Sequence, residues 1–309
     1  ASRTLGVLNF GDSEPSYFGF TIASSVGATL TFDNNGSPAQ LNQLPNAAAQ
    51  TVSAPLALNG PLAVSNGSGS LLTLSGGWTG TGDLLLNANG SGGITVSTKA
   101  INSTGAVANA GAGSGIVLIN TVVGPGVTGV RQDSVTSILT LSANNTYTGG
   151  TEIVGGTLRT ANSSGTATGP GPVEVRDGGI LLNDGVVSGP VTVHGGGALQ
   201  NSKTASGAVR VLGGGTAAGS GTLSGTVTLE AGATISPDRD GGTAGAKLTV
   251  GSLTWEGGGV FHCIVTNIAN GGLGAGVDYA QLAVNGSLTV VPNGSNVVIR
   301  LDSLGQPLP

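Results

Sequence analysis

The sequence predicts an all-β fold, a parallel β-helix (β-solenoid) whose rungs take about 18 residues each. Three observations predict this fold class. Apolar triplets of the form Val-x-Val recur at a constant interval, a glycine cluster follows each triplet, and helix signals are nearly absent.

The repeat is clearest when the chain is aligned on the glycine that precedes each triplet, at Gly171, Gly189, Gly207 and Gly225. Apolar residues stand two and four positions after these glycines, and glycine returns seven positions after them. The predicted core columns are Val173, Val191, Val209 and Val227 in the first and Val175, Val193, Val211 and Leu229 in the second.

Each part of this repeat has a physical reason. A Val-x-Val triplet has the period of a strand, with two side chains directed inward and one outward. Glycine follows because the chain turns sharply where a positive φ is accessible at low cost. Further apolar positions, such as Leu181 and Val187, predict two more faces before the turn closes. A short fixed period of strands therefore predicts stacked rungs with parallel hydrogen bonds between them.

The rest of the chain follows the same pattern less strictly. We expect one solenoid with an irregular N-terminal part (1–143), a regular part (144–250) and less regular capping rungs at the C-terminal side (251–309). The stretches Asn102–Ser114 and Val122–Ser134 carry the weakest strand pattern. In the last part, the bulky Trp255, Phe261 and Tyr279 are predicted to cap the solenoid.

Composition excludes several classes of protein. Only 8% of the 309 residues are charged and 38% are hydrophobic, which is opposite to the signature of disorder. Ten basic residues and a net charge of −5 argue against nucleic acid as a partner. The single cysteine, Cys263, allows no internal disulfide. No apolar run of about 20 residues occurs, so we expect no membrane insertion by this chain.

One segment resembles a known family. The sequence NNTYTGGTEIVGGTLRT (Asn144–Thr160) is similar to the autotransporter-associated β-strand repeat of bacterial surface proteins. Segments at Arg3–Glu14, Ala28–Gln43, Gly251–Val265 and 278–290 resemble passages that accompany such repeats. The resemblance implies a right-handed β-helix, an extracellular location at the bacterial cell surface, and a structural or adhesive role, as in autotransporter passengers.

The alternative is a carbohydrate-active β-helix, similar to a polysaccharide lyase or hydrolase, or a carbohydrate-binding module. Such enzymes need carboxylates that converge on one face. The outward positions of the regular part instead alternate in character, for example Glu174, Thr192 and Arg210. Asp238, Arg239 and Asp240 are predicted to form a solvent-exposed turn, with a weak cation site as the alternative. We therefore expect no enzyme activity, no catalytic or metal site and no cofactor.

Other reactive or aromatic residues have structural interpretations. His262 and Cys263 are neighbours on a predicted strand and so point to opposite faces, while His194 points outward. Trp78 and Tyr147 are expected to fill rung ends or corners, although they could stack on sugars. Glycosylation sequons occur at Asn66, Asn89, Asn102, Asn144, Asn162, Asn285 and Asn293, a number expected by chance in such a composition.

The N-terminal strand suggests a partner. The end rung of a solenoid exposes unpaired backbone groups, and the apolar strand containing Leu5, Val7, Leu8 and Phe10 lies near one end with no charged helix to cover it. We therefore expect head-to-tail self-association into a filament, with surface polysaccharide as a further possible partner. The alternative is that further rungs of a longer chain cover these ends.

Overall fold

The computed structural model describes residues 2–11, 18–238, 246–265 and 279–302, and these residues form strands and turns without any helix. The predicted all-β class and the right-handed parallel β-helix are confirmed. The chain divides into two compact units, Ala1–Gly171 and Pro172–Pro309.

The first unit is built of short strands joined by turns. In chain order they are β1 (Arg3–Leu5), β2 (Val7–Phe10), β3 (Thr21–Ile22), β4 (Leu30–Phe32), β5 (Ala39–Gln43), β6 (Gln50–Val52), β7 (Leu56–Leu58), β8 (Leu62–Asn66), β9 (Leu72–Leu74), β10 (Trp78–Gly80), β11 (Leu84–Ala88), β12 (Ile94–Ser97), β13 (Val107–Asn109), β14 (Val117–Asn120), β15 (Val130–Gln132), β16 (Leu139–Leu141), β17 (Thr151–Ile153) and β18 (Gly156–Thr160).

These strands form three parallel sheets, which the chain visits in turn. Sheet I has the order β1-β4-β7-β10, sheet II the order β2-β5-β8-β11-β13-β15-β17, and sheet III the order β3-β6-β9-β12-β14-β16-β18. Leu62 pairs with Leu84, which pairs with Val107, so a turn of the helix takes about 22 or 23 residues here. The rungs of this unit are therefore longer than the 18-residue repeat.

The two stretches with the weakest strand pattern each contain a strand in register. Val107 in the first pairs with Val130 in the second, and both side chains are buried. Their rungs are completed by single bridges, in which Trp78 pairs with Ile101 and Ile101 with Val123. The irregularity therefore lies in the corners, because the interior columns continue without a break.

The second unit follows the same plan. Its strands are β19 (Val173–Val175), β20 (Gly179–Asn183), β21 (Val186–Val187), β22 (Val191–Val193), β23 (Ala198–Asn201), β24 (Thr204–Ala205), β25 (Val209–Val211), β26 (Thr216–Ala218), β27 (Thr222–Leu229), β28 (Thr234–Ser236), β29 (Lys247–Glu256), β30 (Val260–Ile264), β31 (Gln281–Val284), β32 (Leu288–Val291) and β33 (Val298–Asp302).

Three parallel sheets again enclose the interior. Sheet IV contains β19, β22, β25, β27, β29 and β32; sheet V contains β20, β23, β26, β28, β30 and β33; and sheet VI contains β21, β24, β27, β29 and β31. The long strands β27 and β29 each run through two sheets, so one corner is replaced by a bend.

The 18-residue register is present in this unit. Val173 pairs with Val191, Val191 with Val209, and Val209 with Val227. The second column pairs in the same way, and all eight side chains of the two columns are buried. The returning glycines Gly178, Gly196, Gly214 and Gly232 have φ of 73°, 78°, 82° and 77°, the left-handed region that the repeat requires.

Buried amide side chains stabilise the corners. Asn183 donates to the side-chain oxygen of Asn201 over 2.6 Å, one rung away, and both are fully buried. In the first unit, Asn66 donates to the carbonyl oxygens of Ser70 and Gly93 at 2.8 and 2.6 Å. The bonds from Asn66 satisfy turn carbonyls that would otherwise be buried without a partner. Because Asn66 lies in the interior, its sequon is inaccessible to a glycosylating enzyme.

The column register makes a stability prediction. Val209→Asp places a carboxylate among buried valines, so we expect it to lower the free energy of unfolding by more than about 3 kcal/mol. Arg210→Gln next to it loses only an exposed ion pair with Glu230 and should cost no more than about 1 kcal/mol. Denaturant unfolding of both variants measures the difference, and equal stabilities would contradict the register.

Candidate functional site

The outward charged residues of the second unit pair with one another along sheet IV. His194 Nε2 lies 2.6 Å from Glu174 Oε2, and Arg210 Nε donates to Glu230 Oε1 over 2.6 Å. Ion pairs this exposed contribute little to stability. They occupy the outward positions that the sequence pattern assigned to a solvated face, and they form no converging pair of carboxylates.

In the acidic turn, Asp238 is less exposed than the sequence predicts. Asp238 is only 5% exposed, and its backbone N–H donates to Ser236 Oγ over 3.3 Å. The expectation of a solvent-exposed residue is therefore wrong for Asp238, because this residue is buried. Arg239 and Asp240 lie outside the described residues. Among the described residues, no group of three or more His, Cys, Asp or Glu could hold a metal ion.

His262 and Cys263 lie on β30 with opposite orientations. Cys263 is buried and its thiol donates to the carbonyl oxygen of Ala280 over 3.2 Å. Burial raises the pKa of this thiol, which disfavours the reactive thiolate. His262 Nε2 lies 3.8 Å from Asp302 Oδ2. The two neighbours therefore share no reaction partner.

The motif that resembles a known repeat has a structural role in the first unit. Asn145 Oδ1 accepts the backbone N–H of Val123 at 2.8 Å, and its amide donates to the carbonyl of Ala167 at 2.5 Å. Asn145 thus joins the rung before it to the rung after it. Tyr147 is fully buried with its hydroxyl 2.7 Å from Thr151 Oγ1, and burial raises its pKa. Neither side chain is available to a ligand.

Trp78 and the three aromatic residues of the C-terminal part lie on strands or, for Tyr279, in an isolated bridge. Trp78 is buried on β10, in the inward column of sheet I between Leu56 and Ile101, and so does not fill a corner as expected. Trp255 is buried on β29 and Phe261 is half-buried on β30, one rung before the last described strands. Tyr279 forms an antiparallel bridge with Val265. More residues separate successive paired positions at this end, since Val227 pairs with Leu253 and Leu253 with Leu288.

The first rung of the first unit contains the four apolar residues that the sequence suggested for association. They lie on two strands, and β1 and β2 pair with β4 and β5 on one edge. Leu5, Leu8 and Phe10 point inward, opposite Phe32, Leu41 and Gln43. Val7 points outward and is 48% exposed. A cleft of about 280 Å³ opens beside this rung, with Arg3, Ile22 and Leu30 among its lining residues.

The last rung of the second unit, β31–β33, carries inward-facing apolar side chains that remain exposed. Their exposed fractions are 55% for Leu288, 51% for Val290, 62% for Ile299 and 50% for Leu301. By register these side chains lie over Leu253, Trp255, Phe261 and Cys263, which belong to the interior. The last described rung thus shows an interior layer that no other described rung covers.

A second surface feature lies on the outside of sheet III. Thr51, Thr73 and Thr95 pair with one another on adjacent strands and alternate with inward Val52, Leu74 and Val96. Their hydroxyls make no hydrogen bond in the described part of the chain. A parallel row is formed by the serines two positions later, Ser53, Ser75 and Ser97. Sequence reasoning missed both rows because their period belongs to the longer rungs.

Comparison of the chain with protein-family models, with curated proteins and with solved structures finds no significant match. Within the described ranges, no helix has the length and hydropathy needed to cross a bilayer.

The two buried hydrogen bonds of Asn145 predict that this residue of the motif stabilises the fold. Asn145→Ala leaves a buried N–H and a buried C=O without partners, so we expect a loss of about 2–4 kcal/mol of unfolding free energy. Asn144→Ala is the matched control, because Asn144 accepts a single exposed N–H from Thr166 and should cost about 1 kcal/mol or less. Thermal or denaturant unfolding would contradict this role if the two variants were equally stable.

Proposed function

We propose that the protein is an extracellular structural or adhesive β-solenoid of a bacterial surface. In this role it self-associates head to tail into a fibre or forms part of a larger surface protein. The parallel β-helix supports a structural role, since stacked rungs extend in one dimension without a new fold. The resemblance of Asn144–Thr160 to repeats of bacterial surface proteins supports the location.

One observation carries the self-association: the exposed apolar layer of β32 and β33. Among the described residues β32 pairs with β29 and β33 pairs with β30, and no described strand lies on the other edge of either, where a further rung could pair. An apolar layer next to an open edge is a surface that a further rung would cover. A second copy would supply such a rung in its own β1–β3, whose strands pair with described strands on one edge only.

Charge does not oppose this association. The net charge is −5 over 309 residues, and the inward positions of β32 and β33 hold no ionisable side chain. Repulsion between copies is therefore weak at physiological ionic strength. The contact is heterologous, with a different surface on each copy, and such contacts generate open filaments when they do not close into rings.

A concentration series tests the proposal. We expect sedimentation velocity to show oligomers that grow with concentration, and electron microscopy to show filaments. Leu288→Asp should shift the protein to monomers, because the carboxylate would be desolvated on stacking, whereas the already exposed site keeps the fold intact.

Thr289→Asp is the matched control for that variant. Thr289 is the neighbouring exposed residue on β32, but it points outward, opposite Thr254. It should therefore retain assembly. A chain that sediments as a monomer at every concentration would refute self-association and favour further rungs of a longer chain as the cover.

The hydroxyl rows of sheet III favour a second candidate function, binding of a neutral surface polysaccharide. Hydroxyls both donate and accept hydrogen bonds, as sugars require. The three rungs that carry Thr51, Thr73 and Thr95 repeat them about every 4.8 Å, so a linear glycan that lies along this part of the sheet meets equivalent groups at each of the three, before Leu118 ends the row. Individual contacts are weak, but several rungs acting together raise the affinity.

Titration with soluble neutral glycans of increasing length tests this candidate. We expect affinity to rise with chain length and Thr73→Val to weaken binding roughly fivefold, the value of about 1 kcal/mol for one lost hydrogen bond. Thr192→Val, on the outside of sheet IV, should leave binding unchanged. Absence of binding at millimolar glycan, or equal effects of both variants, would reject the site.

A further inference from the structure

We propose that the last rung of one copy and the first rung of the next stack in a single register. In this register Leu8 and Phe10 lie over Leu288 and Val290. The inference rests on the proposed self-association and adds to it the residues that pair. It is carried by three features shared by the two end rungs: a short corner followed by a longer one, the spacing of their inward side chains, and an edge that no described strand covers.

The corners determine which strands meet. In the first rung, one residue, Gly6, separates β1 from β2, and a longer segment separates β2 from β3. In the last rung, a short corner of Asn285–Ser287 separates β31 from β32, and a longer one separates β32 from β33. Only one rotation of the two rungs places short corner on short corner. It pairs β31 with β1, β32 with β2, and β33 with β3.

The inward side chains then determine the register within β2 and β32. Leu8 and Phe10 are the inward residues of β2, by their pairing with Leu41 and Gln43. Leu288 and Val290 are the inward residues of β32, by their pairing with Leu253 and Trp255. Both pairs are two residues apart, so both contacts form at once. A slip of one residue would turn Val7 and Asn9 toward the apolar layer and expose Leu8 and Phe10.

The other two faces accept the same register. Phe20 precedes β3 and lies opposite the buried Gln50, and Ile22 lies opposite Val52, so both are directed inward. They match Ile299 and Leu301, which are also two residues apart and directed inward. On the remaining face, Leu5 matches Val284. Arg3 then lies over Leu282, where its aliphatic stem can pack while the guanidinium reaches the solvent.

Cysteine cross-linking between two variants tests the register. Asn9 and Thr289 are outward and would face each other on adjacent parallel strands, about 4.8 Å apart, a spacing compatible with a disulfide. One protein carries Asn9→Cys and the other Thr289→Cys, both with Cys263→Ser to remove the native thiol. We expect a covalent heterodimer on mild oxidation, at least tenfold more than with Asn9→Cys and Val291→Cys, where the second cysteine is shifted by two residues.

A second in-register cysteine pair shows whether the cross-linking result depends on one particular substitution. Val7→Cys with Ser287→Cys should cross-link as readily as the first pair, because the register places these outward residues opposite each other. If the chain assembles but the shifted pair cross-links at least as well, the register is wrong while self-association stands. If the unmodified chain remains monomeric by sedimentation, self-association and register fail together.

Discussion

The structure depends on parallel hydrogen bonding between successive rungs. In the regular part each strand pairs residue for residue with the strand one turn earlier, so that each side chain lies above its counterpart. An interior position must therefore suit a whole column of neighbours. The valine columns satisfy this condition because identical β-branched side chains stack without voids. Corners must return the chain to the same place each turn, which accounts for the positive-φ glycines and the buried amides.

The extent to which this fold was predictable from the sequence varies along the chain. In the second unit, equal rung lengths turn the structural register into a sequence period, so that Val173 and Val191 could be assigned to one column. In the first unit, rungs of unequal length remove the period, although Leu62, Leu84 and Val107 form the same kind of column. The buried amides were not predictable, because asparagine in a turn is as compatible with exposure as with burial.

The candidate site was predictable at one end only. The apolar strand near Leu5 and Phe10 is recognisable because it is strongly patterned. By contrast, β32 and β33 have the sequences Leu-Thr-Val-Val and Val-Ile-Arg-Leu-Asp, which resemble ordinary core strands. Whether the inward side chains of β32 and β33 are exposed depends on whether another rung stacks on these strands, and their own sequences do not determine this. Sequence patterns report which side chains point inward, but they do not report whether the inside is covered.

The need to stack in register acts differently on the outward positions of the sheets and on the end rungs. Outward positions face solvent and do not enter the columns, so they vary freely between Glu174, Thr192 and Arg210 on successive rungs. A regular outer row, such as Thr51, Thr73 and Thr95, is compatible with the strand propensity of threonine and leaves its hydroxyls on the outer face. The end strands of this chain carry mostly the same inward apolar pattern as the other rungs, with Arg3 on β1 as an exception. A β-helix whose end is uncovered thus presents inward-facing side chains there as a direct consequence of how it folds, and in the proposed assembly the order of the corners and the spacing of the inward pairs would select a second copy.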